Sequence, residues 1–365
     1  MSSIVTFLGK GGTGRTTIAI ASARFLASQG RKVLLLTQDS SPAYSIALGS
    51  EITTQPQEIA ANLTVAQLSS TILLEENWEQ VKQLEKQYLR SPIIKNVYGQ
   101  ELGILPGMDR ALALNKIREY DQSNQYDVII YDGSGDISTL RMFGLPEVLS
   151  WYVRRFKGIF QESEIFKTLA PFVQPVTSAI LNVSFSSDSF NTAETELANK
   201  MLENGRKALG DRRVIAYLVT TESEMAIAQA KYLWGGAQQV GLSIGGVLLN
   251  QAGGNDKITQ EFQPLRVTSL PTISTGEWSS LGDALPNLLD NAEIPQPTTF
   301  EMSEKKIKVF LPGFDKKQVK LTQNGSEITI SAGDQRRNID LPPAWSGRSV
   351  TGAKFTENYL ELTIG

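Results

Sequence analysis

Residues 4–17 read IVTFLGKGGTGRTT, and the type of fold can be inferred from this segment. An apolar run of strand length (residues 4–8) leads directly into a glycine-rich loop, and the Ala-rich segment 16–29 that follows is helix-compatible. The spacing from Gly9 to Thr16 matches the phosphate-binding motif G-x-x-x-x-G-K-[ST], with Arg15 in place of lysine. Since a preceding strand and a following helix are the context that this motif requires, we predict that the loop encloses a polyphosphate.

The residue types in the loop suit such a ligand. Glycines let the backbone turn its N–H groups toward phosphate oxygens, and the positive end of the following helix faces the same point. The predicted nucleotide contacts are Gly9, Lys10, Gly11, Gly12, Thr13, Gly14, Arg15, Thr16 and Thr17. Thr16 is also predicted to ligate Mg²⁺, whereas the guanidinium of Arg15 is bulkier than the usual ammonium. We therefore expect the nucleotide to bind weakly, to sit differently or to be hydrolysed slowly; a glycine-rich turn without a ligand is the alternative.

The rest of the first domain alternates between strands and helices. Further buried strands are predicted at residues 32–37, 126–132, 214–220 and 245–251. This alternation indicates an α/β fold with a doubly wound, mostly parallel sheet. Residues 51–125 and 139–210 are interpreted as helical insertions, and the whole domain is placed at residues 1–293.

The hydrophobic pattern changes near residue 294. Residues 294–299 (IPQPTT) are Pro-rich and predict an extended linker. From residue 300 to 365 the period is two, and Asn324-Gly325 lies between two alternating runs, which is a strong hairpin signal. We therefore predict a small C-terminal antiparallel β-sandwich that is marginal alone and docks on, or pairs with, something else.

The composition excludes several kinds of chemistry. The chain has no cysteine, so a disulfide, a thiolate metal site or a cysteine nucleophile is excluded. It has no histidine either, which removes the commonest general base. A net charge of −3 gives no general attraction to nucleic acid. Neither a signal peptide nor an apolar run of membrane length is found, and we expect a cytoplasmic protein.

Three polar residues follow predicted strands. Asp39 and Asp132 lie at carboxyl ends of strands, which is the ligand side of an open parallel sheet. Hydrolysis needs carboxylates to hold Mg²⁺ and to place the attacking water; for Asp39, capping of the following turn is the alternative. Asn250 ends another strand, and its amide suits adenine; a turn residue is the alternative.

The loop sequence KGGTGRT, with Lys10 early in it, resembles the signature-lysine P-loops of the arsenite-pump ATPase family, which includes the tail-anchored-protein targeting factor. The resemblance extends over roughly residues 1–290. It implies a homodimer or pseudo-dimer with ATP at the interface, in which Lys10 reaches the partner subunit's nucleotide; a solvated lysine is the alternative. It also implies that Asp39 orients the water, that Asp132 holds Mg²⁺ through water, and that Asn250 contacts adenine. Lys10 or Arg15 would then stabilise charge in the transition state.

The chain departs from this family in the two segments that respond to the γ-phosphate. Two serines separate Asp39 from Pro42, and Tyr44 takes the position of a family histidine. From the family's Thr-Ala-Pro-Thr-Gly-His-Thr-Leu-Arg segment, only Thr-Leu-Arg (residues 139–141) is kept. A nucleotide-gated binding module without significant hydrolysis is therefore an alternative to an ATPase.

The C-terminal region resembles the α-crystallin domain of small heat-shock proteins, with Leu311-Pro312-Gly313-Phe314 as its entry. This resemblance implies edge strands that accept extended peptides, and a passive cap is the alternative. The helical region 139–200 corresponds to the apolar groove that the targeting factor uses for a transmembrane helix, or else forms core. We thus expect a slow, Mg-dependent ATPase that handles a polypeptide or membrane-protein client.

Overall fold

The computed structural model describes residues 1–73, 75–76, 107–162, 193–253, 256–274, 276–290 and 294–365. The parts of the two predicted helical insertions at residues 77–106 and 163–192 lie outside these described residues. No helix in the described ranges is both long and apolar enough to cross a bilayer.

An eight-stranded sheet forms the centre of the first domain. Its strands are β1 (Ser3–Gly9), β2 (Val33–Thr37), β3 (Gln57–Ala60), β4 (Leu63–Gln67), β5 (Val128–Asp132), β6 (Val214–Thr220), β7 (Ser243–Asn250) and β8 (Val267–Leu270). They lie in the order β3-β4-β2-β5-β1-β6-β7-β8, and every neighbouring pair is parallel except β3 with β4. The predicted mostly parallel α/β sheet is confirmed, and β1 lies between β5 and β6.

Helices cover both faces of this sheet. They are α1 (Arg15–Ser28), α2 (Pro42–Leu48), α3 (Met108–Ser123), α4 (Ile137–Glu162), α5 (Ala193–Gly210), α6 (Glu224–Gln239), α7 (Asp256–Glu261) and α8 (Trp278–Ala284). One core packs α3, α4, α5, α6 and α7 on one face, and a second packs α1, α2 and α8 on the other. Strands buried on both faces read as continuous apolar runs, which is why their positions could be predicted.

The prediction of helix for residues 51–125 is wrong at its start. Residues 57–67 form the antiparallel hairpin β3–β4, with Asn62 at φ 61° in the turn. Leu63 and Val65 are fully buried where β4 pairs with β2. Pairing with a strand some 30 residues earlier in the chain, rather than local helix propensity, determines this structure.

The C-terminal residues form two antiparallel sheets, as predicted. Their strands are β9 (Thr298–Glu301), β10 (Lys306–Phe310), β11 (Val319–Asn324), β12 (Glu327–Ala332), β13 (Gln335–Asp340), β14 (Val350–Thr356) and β15 (Tyr359–Ile364). The sheets have the orders β14-β15-β10-β9 and β11-β12-β13. Asn324 pairs with Glu327 across a turn in which Gly325 has φ 60°, so the predicted hairpin is confirmed.

The predicted linker at residues 294–299 is shorter and better packed than expected. Strand β9 already begins at Thr298, and Ile294 is buried in the core that contains α1 and α8. An apolar side chain at the start of the linker anchors it to the first domain, so the two domains are joined by only a few residues without regular structure.

The β domain (residues 298–365) packs against the C-terminal half of α6. A Cβ on Gly235 would lie 2.3 Å from the carbonyl oxygen of Pro312, so only glycine permits this approach. Trp234 packs edge-on against Phe310, with 5.5 Å between the ring centroids. The Arg337 guanidinium donates to the Gln238 carbonyl at 2.6 Å, and burial lowers the pKa of Arg337 to about 10. The expected docking of this domain therefore takes place within the same chain.

The substitution Gly235→Ala tests this close approach. In an ordinary helix it stabilises by about 1 kcal/mol, but here the added methyl group overlaps a backbone carbonyl. We expect a net loss of about 1–3 kcal/mol in the free energy of unfolding, measured by denaturant titration. The matched control is Gly210→Ala at the end of α5, where a Cβ meets nothing within 4 Å. Equal effects of the two substitutions would contradict the described interface.

Candidate nucleotide-binding site

The loop between β1 and α1 has the backbone that the sequence motif predicts. Gly12 and Gly14 adopt φ 83° and 92°, values that favour glycine. A Cβ on Gly9 would lie 2.2 Å from the Val219 carbonyl oxygen, because Gly9 ends β1 beside β6. Thr13 closes the loop by donating through both its N–H (3.3 Å) and its hydroxyl (2.8 Å) to the Lys10 carbonyl. These two hydrogen bonds close the loop on itself.

The remaining predicted loop residues lie around this turn. Gly11 and Lys10 are exposed, and Thr16 and Thr17 are half-buried in the first turn of α1. Within the described part of the chain, no ion pair of the Lys10 ammonium is found. An exposed lysine at the loop agrees both with a role toward a partner subunit and with a solvated side chain.

Asn250 has a contact that the sequence did not reveal. Its buried side-chain amide donates to the Thr13 carbonyl at 2.9 Å. A Cβ on Gly14 would lie 2.2 Å from the same amide nitrogen, so Gly14 makes room for this contact. Asn250 therefore braces the loop from the carboxyl end of β7; its contact with adenine stays a prediction.

Arg15 points toward the loop that follows Asp132. Its Nη1 donates to the Ser134 carbonyl and, at 3.5 Å, to the Gly133 carbonyl. Burial lowers the pKa of Arg15, and the negative charges of Asp132 and Asp136 act in the opposite direction. In this arrangement the guanidinium holds residues 133–134 against the start of α1.

Residues 133–136 are held by further hydrogen bonds. The Gly9 N–H donates to the Gly135 carbonyl at 2.9 Å, so one loop N–H is already paired. The Gly135 N–H donates to the Thr139 hydroxyl at 2.9 Å, and Asp136 accepts from the Ser138 N–H at 2.8 Å at the start of α4. Through these bonds, the segment is tied to the phosphate loop at one end and to α4 at the other.

Asp132 is buried at the end of β5 and faces hydroxyl groups. Burial raises the pKa of Asp132 to about 6; the Thr16 hydroxyl, the Arg15 charge and the Tyr44 hydroxyl favour the ionised form. A hydroxyl and a carboxylate that face each other are oxygen donors of the kind that Mg²⁺ takes, so Thr16 and Asp132 fit the predicted metal role. Since the chain contains no cysteine, no thiolate takes part.

Tyr44 is the buried neighbour of this carboxylate. Its ring is 1% exposed, and its hydroxyl faces Thr37 and Asp132 without meeting hydrogen-bond geometry with either. Burial raises the pKa of Tyr44 well above its ordinary value, so the phenol is neutral. A neutral phenol can donate to a carboxylate but cannot carry the positive charge that a histidine in this position can.

Asp39 lies at the same edge of the sheet but has a local partner. Its Oδ1 accepts from the Ser41 N–H at 2.8 Å, directly before α2. The Gln67 side chain donates to the Asp39 carbonyl at 2.9 Å, which ties this turn to β4. Asp39 thus caps the turn, as one of the two sequence interpretations proposed, and its role toward water stays a prediction.

The chain is similar to known proteins over both of its domains. Residues 2–272 match the family model described as anion-transporting ATPase, and residues 303–364 match the HSP20-like domain found in ArsA. A putative arsenical pump-driving ATPase of Chlorobaculum tepidum is 23% identical over 98% of this chain and 95% of its own length. A further relative, the putative arsenical pump-driving ATPase 1 of Aquifex aeolicus, is 21% identical over 93% of this chain and 94% of its own. The ATPase GET3 of Malassezia globosa is 28% identical over 47% of this chain and 48% of its own.

The contacts of Arg15 predict how the segment after Asp132 behaves. In Arg15→Ala, residues 133–136 lose their charged hydrogen-bond donor, and we expect amide exchange there to quicken about tenfold without nucleotide. Hydrogen-exchange mass spectrometry of a peptide covering residues 133–142 measures this. The control is Lys10→Ala, whose side chain is exposed. Unchanged exchange in Arg15→Ala would show that the guanidinium does not hold this segment.

The pKa of Asp132 predicts a pH dependence of stability in metal-free protein. Because the pKa is higher in the folded than in the unfolded state, this group's contribution is full below about pH 4 and is lost as pH rises through about 6. Asp132→Asn removes this pH-dependent loss of stability, because asparagine does not ionise. The variant should therefore gain stability relative to wild type from pH 4 to pH 7, by about 3 kcal/mol at most. Denaturant titrations in EDTA check this, and a difference that does not vary with pH would refute it.

Proposed function

Because this chain belongs to the anion-transporting ATPase family, we propose that it binds ATP with Mg²⁺, hydrolyses it slowly, and couples its nucleotide state to the handling of a polypeptide client. The observation that carries the proposal is a phosphate loop that closes on itself. The carboxylates of Asp39 and Asp132 lie at the same edge of the sheet as this loop. A loop closed on itself and braced by Asn250 loses little entropy when a phosphate enters.

The described side chains support a hydrolytic mechanism that depends mainly on the positioning of the reacting groups. Backbone N–H groups of residues 9–16 and the start of α1 would bind the phosphates. Thr16 and Asp132 would hold Mg²⁺, which supplies positive charge at the phosphate oxygens when bound. Asp39 would orient the attacking water, and Lys10 or Arg15 would stabilise the charge that develops on the transferred group.

A homodimer with nucleotide at the interface is part of the proposal. Lys10 is exposed, and so are two apolar side chains on helices α2 and α6. These helices follow strands β2 and β6, which lie on opposite sides of β1. The two side chains are Ile46 on α2, which is 75% exposed, and Met225 on α6, which is 69% exposed. A second copy placed over this edge would cover both and bring its own lysine to the nucleotide.

A nucleotide-gated binding module without significant turnover is the second candidate. It is favoured by Arg15, which is engaged with the Gly133 and Ser134 carbonyls rather than directed along the loop, and by Asp39, whose Oδ1 caps a turn. In this case ATP binding alone, and not hydrolysis, would change how the client is held. The client surface and the cytoplasmic location remain predictions from the sequence.

One experiment separates the two candidates. We expect ATP with Mg²⁺ to raise the melting temperature of wild type, and turnover to be slow, well below about 1 s⁻¹. Asp39→Asn should lose turnover and keep the thermal shift, whereas Asp132→Asn should lose most of the shift caused by Mg²⁺. Asp283→Asn on the surface of α8 is the matched control.

The outcomes are distinct. Turnover at background in wild type, with a retained thermal shift, selects the binding module. If ATP, ADP and GTP all leave the melting temperature unchanged at millimolar Mg²⁺, the loop binds no nucleotide and the proposed function is wrong.

A further inference from the structure

The β domain contacts the helix that begins at the nucleotide site. Helix α4 starts at Ile137, directly after the loop of residues 133–136, and Trp151 lies about 21 Å further along it. The Trp151 indole N–H donates to Glu327 Oε1 of β12 at 2.8 Å. On the same ring, the Arg336 guanidinium of β13 lies 4.7 Å from the centroid. One tryptophan of α4 is thus held by a carboxylate and a cation of the β domain.

The residues that hold Trp151 are themselves fixed. Arg336 donates through Nε to the Asn338 side chain at 3.3 Å and through Nη2 to the Thr329 hydroxyl at 3.4 Å. Thr329 also donates to Asn338 at 2.9 Å. A guanidinium held by two neighbours loses little side-chain freedom when it packs on an aromatic ring, so the contact is preorganised.

A second contact lies close to the start of α4. A Cβ on Gly236 would be 2.8 Å from Leu140 Cδ1, 3.9 Å from Ile137 Cδ1 and 3.8 Å from Gln335 Cγ. The first turn of α4, helix α6 and strand β13 therefore meet at one glycine. Nearby, Arg141 of α4 lies 4.0 Å from Asp334, in the turn between β12 and β13. The β domain thus touches α4 both before and after its internal Pro146.

The β domain is also tied to α6, which follows the strand on the other side of β1. The hydrogen bond from Arg337 to the Gln238 carbonyl makes this attachment. Adjacent residues of β13, Arg336 and Arg337, therefore engage two different helices, α4 and α6. Because α4 follows β5 and α6 follows β6, the domain bridges the helices that flank the phosphate-loop strand.

We propose that the β domain acts as an internal clamp that joins α4 to α6 and thereby holds residues 133–136 against the phosphate loop. In the clamped arrangement, the Gly9 N–H is used by the Gly135 carbonyl, and Arg15 is used by residues 133–134. A phosphate that needs these donors competes with the clamp. ATP binding therefore loosens the β domain, and loosening the β domain strengthens ATP binding by the same factor.

The nucleotide half of this inference rests on the proposed function, whereas the clamp itself does not. Two substitutions remove the same hydrogen bond from its two sides: Trp151→Phe deletes the indole donor, and Glu327→Ala deletes the acceptor. Glu304→Ala is the matched control, because Glu304 is exposed and pairs with its near neighbour Lys306.

The first measurement needs no nucleotide. Hydrogen exchange of residues 137–142 should quicken about fivefold or more in Trp151→Phe and in Glu327→Ala, and the double variant should add little, since both changes break one interaction. Glu304→Ala should match wild type. If exchange in this segment is the same in wild type and all variants, the clamp does not exist.

The second measurement is calorimetric titration of the full chain with ATP and Mg²⁺. The two clamp variants should bind ATP about fivefold more tightly than wild type, and ATP should quicken exchange at residues 327–340 of wild type. Equal affinities in wild type and clamp variants would overturn the coupling. If wild type binds no ATP at all, the proposed function and the coupling both fail, while the first measurement still decides whether the clamp exists.

Discussion

The carboxyl edge of the sheet is organised around one constraint: the loop between β1 and α1 must pass its backbone against neighbours that leave no room for a side chain. Gly9 touches the end of β6, and Gly14 touches the amide of Asn250 at the end of β7. Strands β6 and β7 therefore shape a loop that belongs to β1. On the other side of β1, strand β5 places Asp132 and the segment after it, which Arg15 contacts from the start of α1. If this loop were wider, neither Asn250 nor the Gly135 carbonyl could reach its backbone.

The absence of histidine gives this site an unusual electrostatic character. Tyr44 lies where the resemblance places a histidine, and it is buried and neutral beside Asp132. The group in this site whose pKa approaches neutrality is instead a carboxyl, Asp132, at about 6. As pH falls, a histidine changes from neutral to positively charged, whereas this carboxyl changes from negatively charged to neutral. The carboxyl is ionised, and thus able to bind a cation, only above its raised pKa.

Sequence patterns predicted the parts of the fold that are local or continuously apolar. The strand at residues 214–220 was predicted with the bounds that the structure gives it, because all seven residues are buried and none interrupts the run. The hairpin at Asn324-Gly325 follows from turn chemistry alone. By contrast, the hairpin at residues 57–67 depends on pairing with β2. The contacts of Asn250 and Arg15 join residues 237 and 119 positions apart, and no local pattern encodes them. The sequence therefore indicates which residues lie in the loop and at the strand ends, but not what they touch.

The docking of the β domain limits how it can take part in client handling. A β-sandwich offers peptides its unpaired edge strands, which here are β9 and β14 in one sheet and β11 and β13 in the other. Strand β13 carries Gln335, Arg336 and Arg337, which lie against α6 and α4, so this edge is engaged within the chain. The Gln323 side chain of β11 donates to the Arg348 carbonyl at 2.9 Å and accepts from the Val350 N–H at 2.8 Å, which links that edge to the start of β14. Strand addition at β13 would require the domain to leave α6 and break the hydrogen bond from Arg337 to the Gln238 carbonyl, whereas addition at β9 would leave the interface intact. A client bound at β9 would be held by a docked domain, whereas a client bound at β13 would compete with docking. The edge that binds the client therefore determines whether client binding is linked to the state of α4.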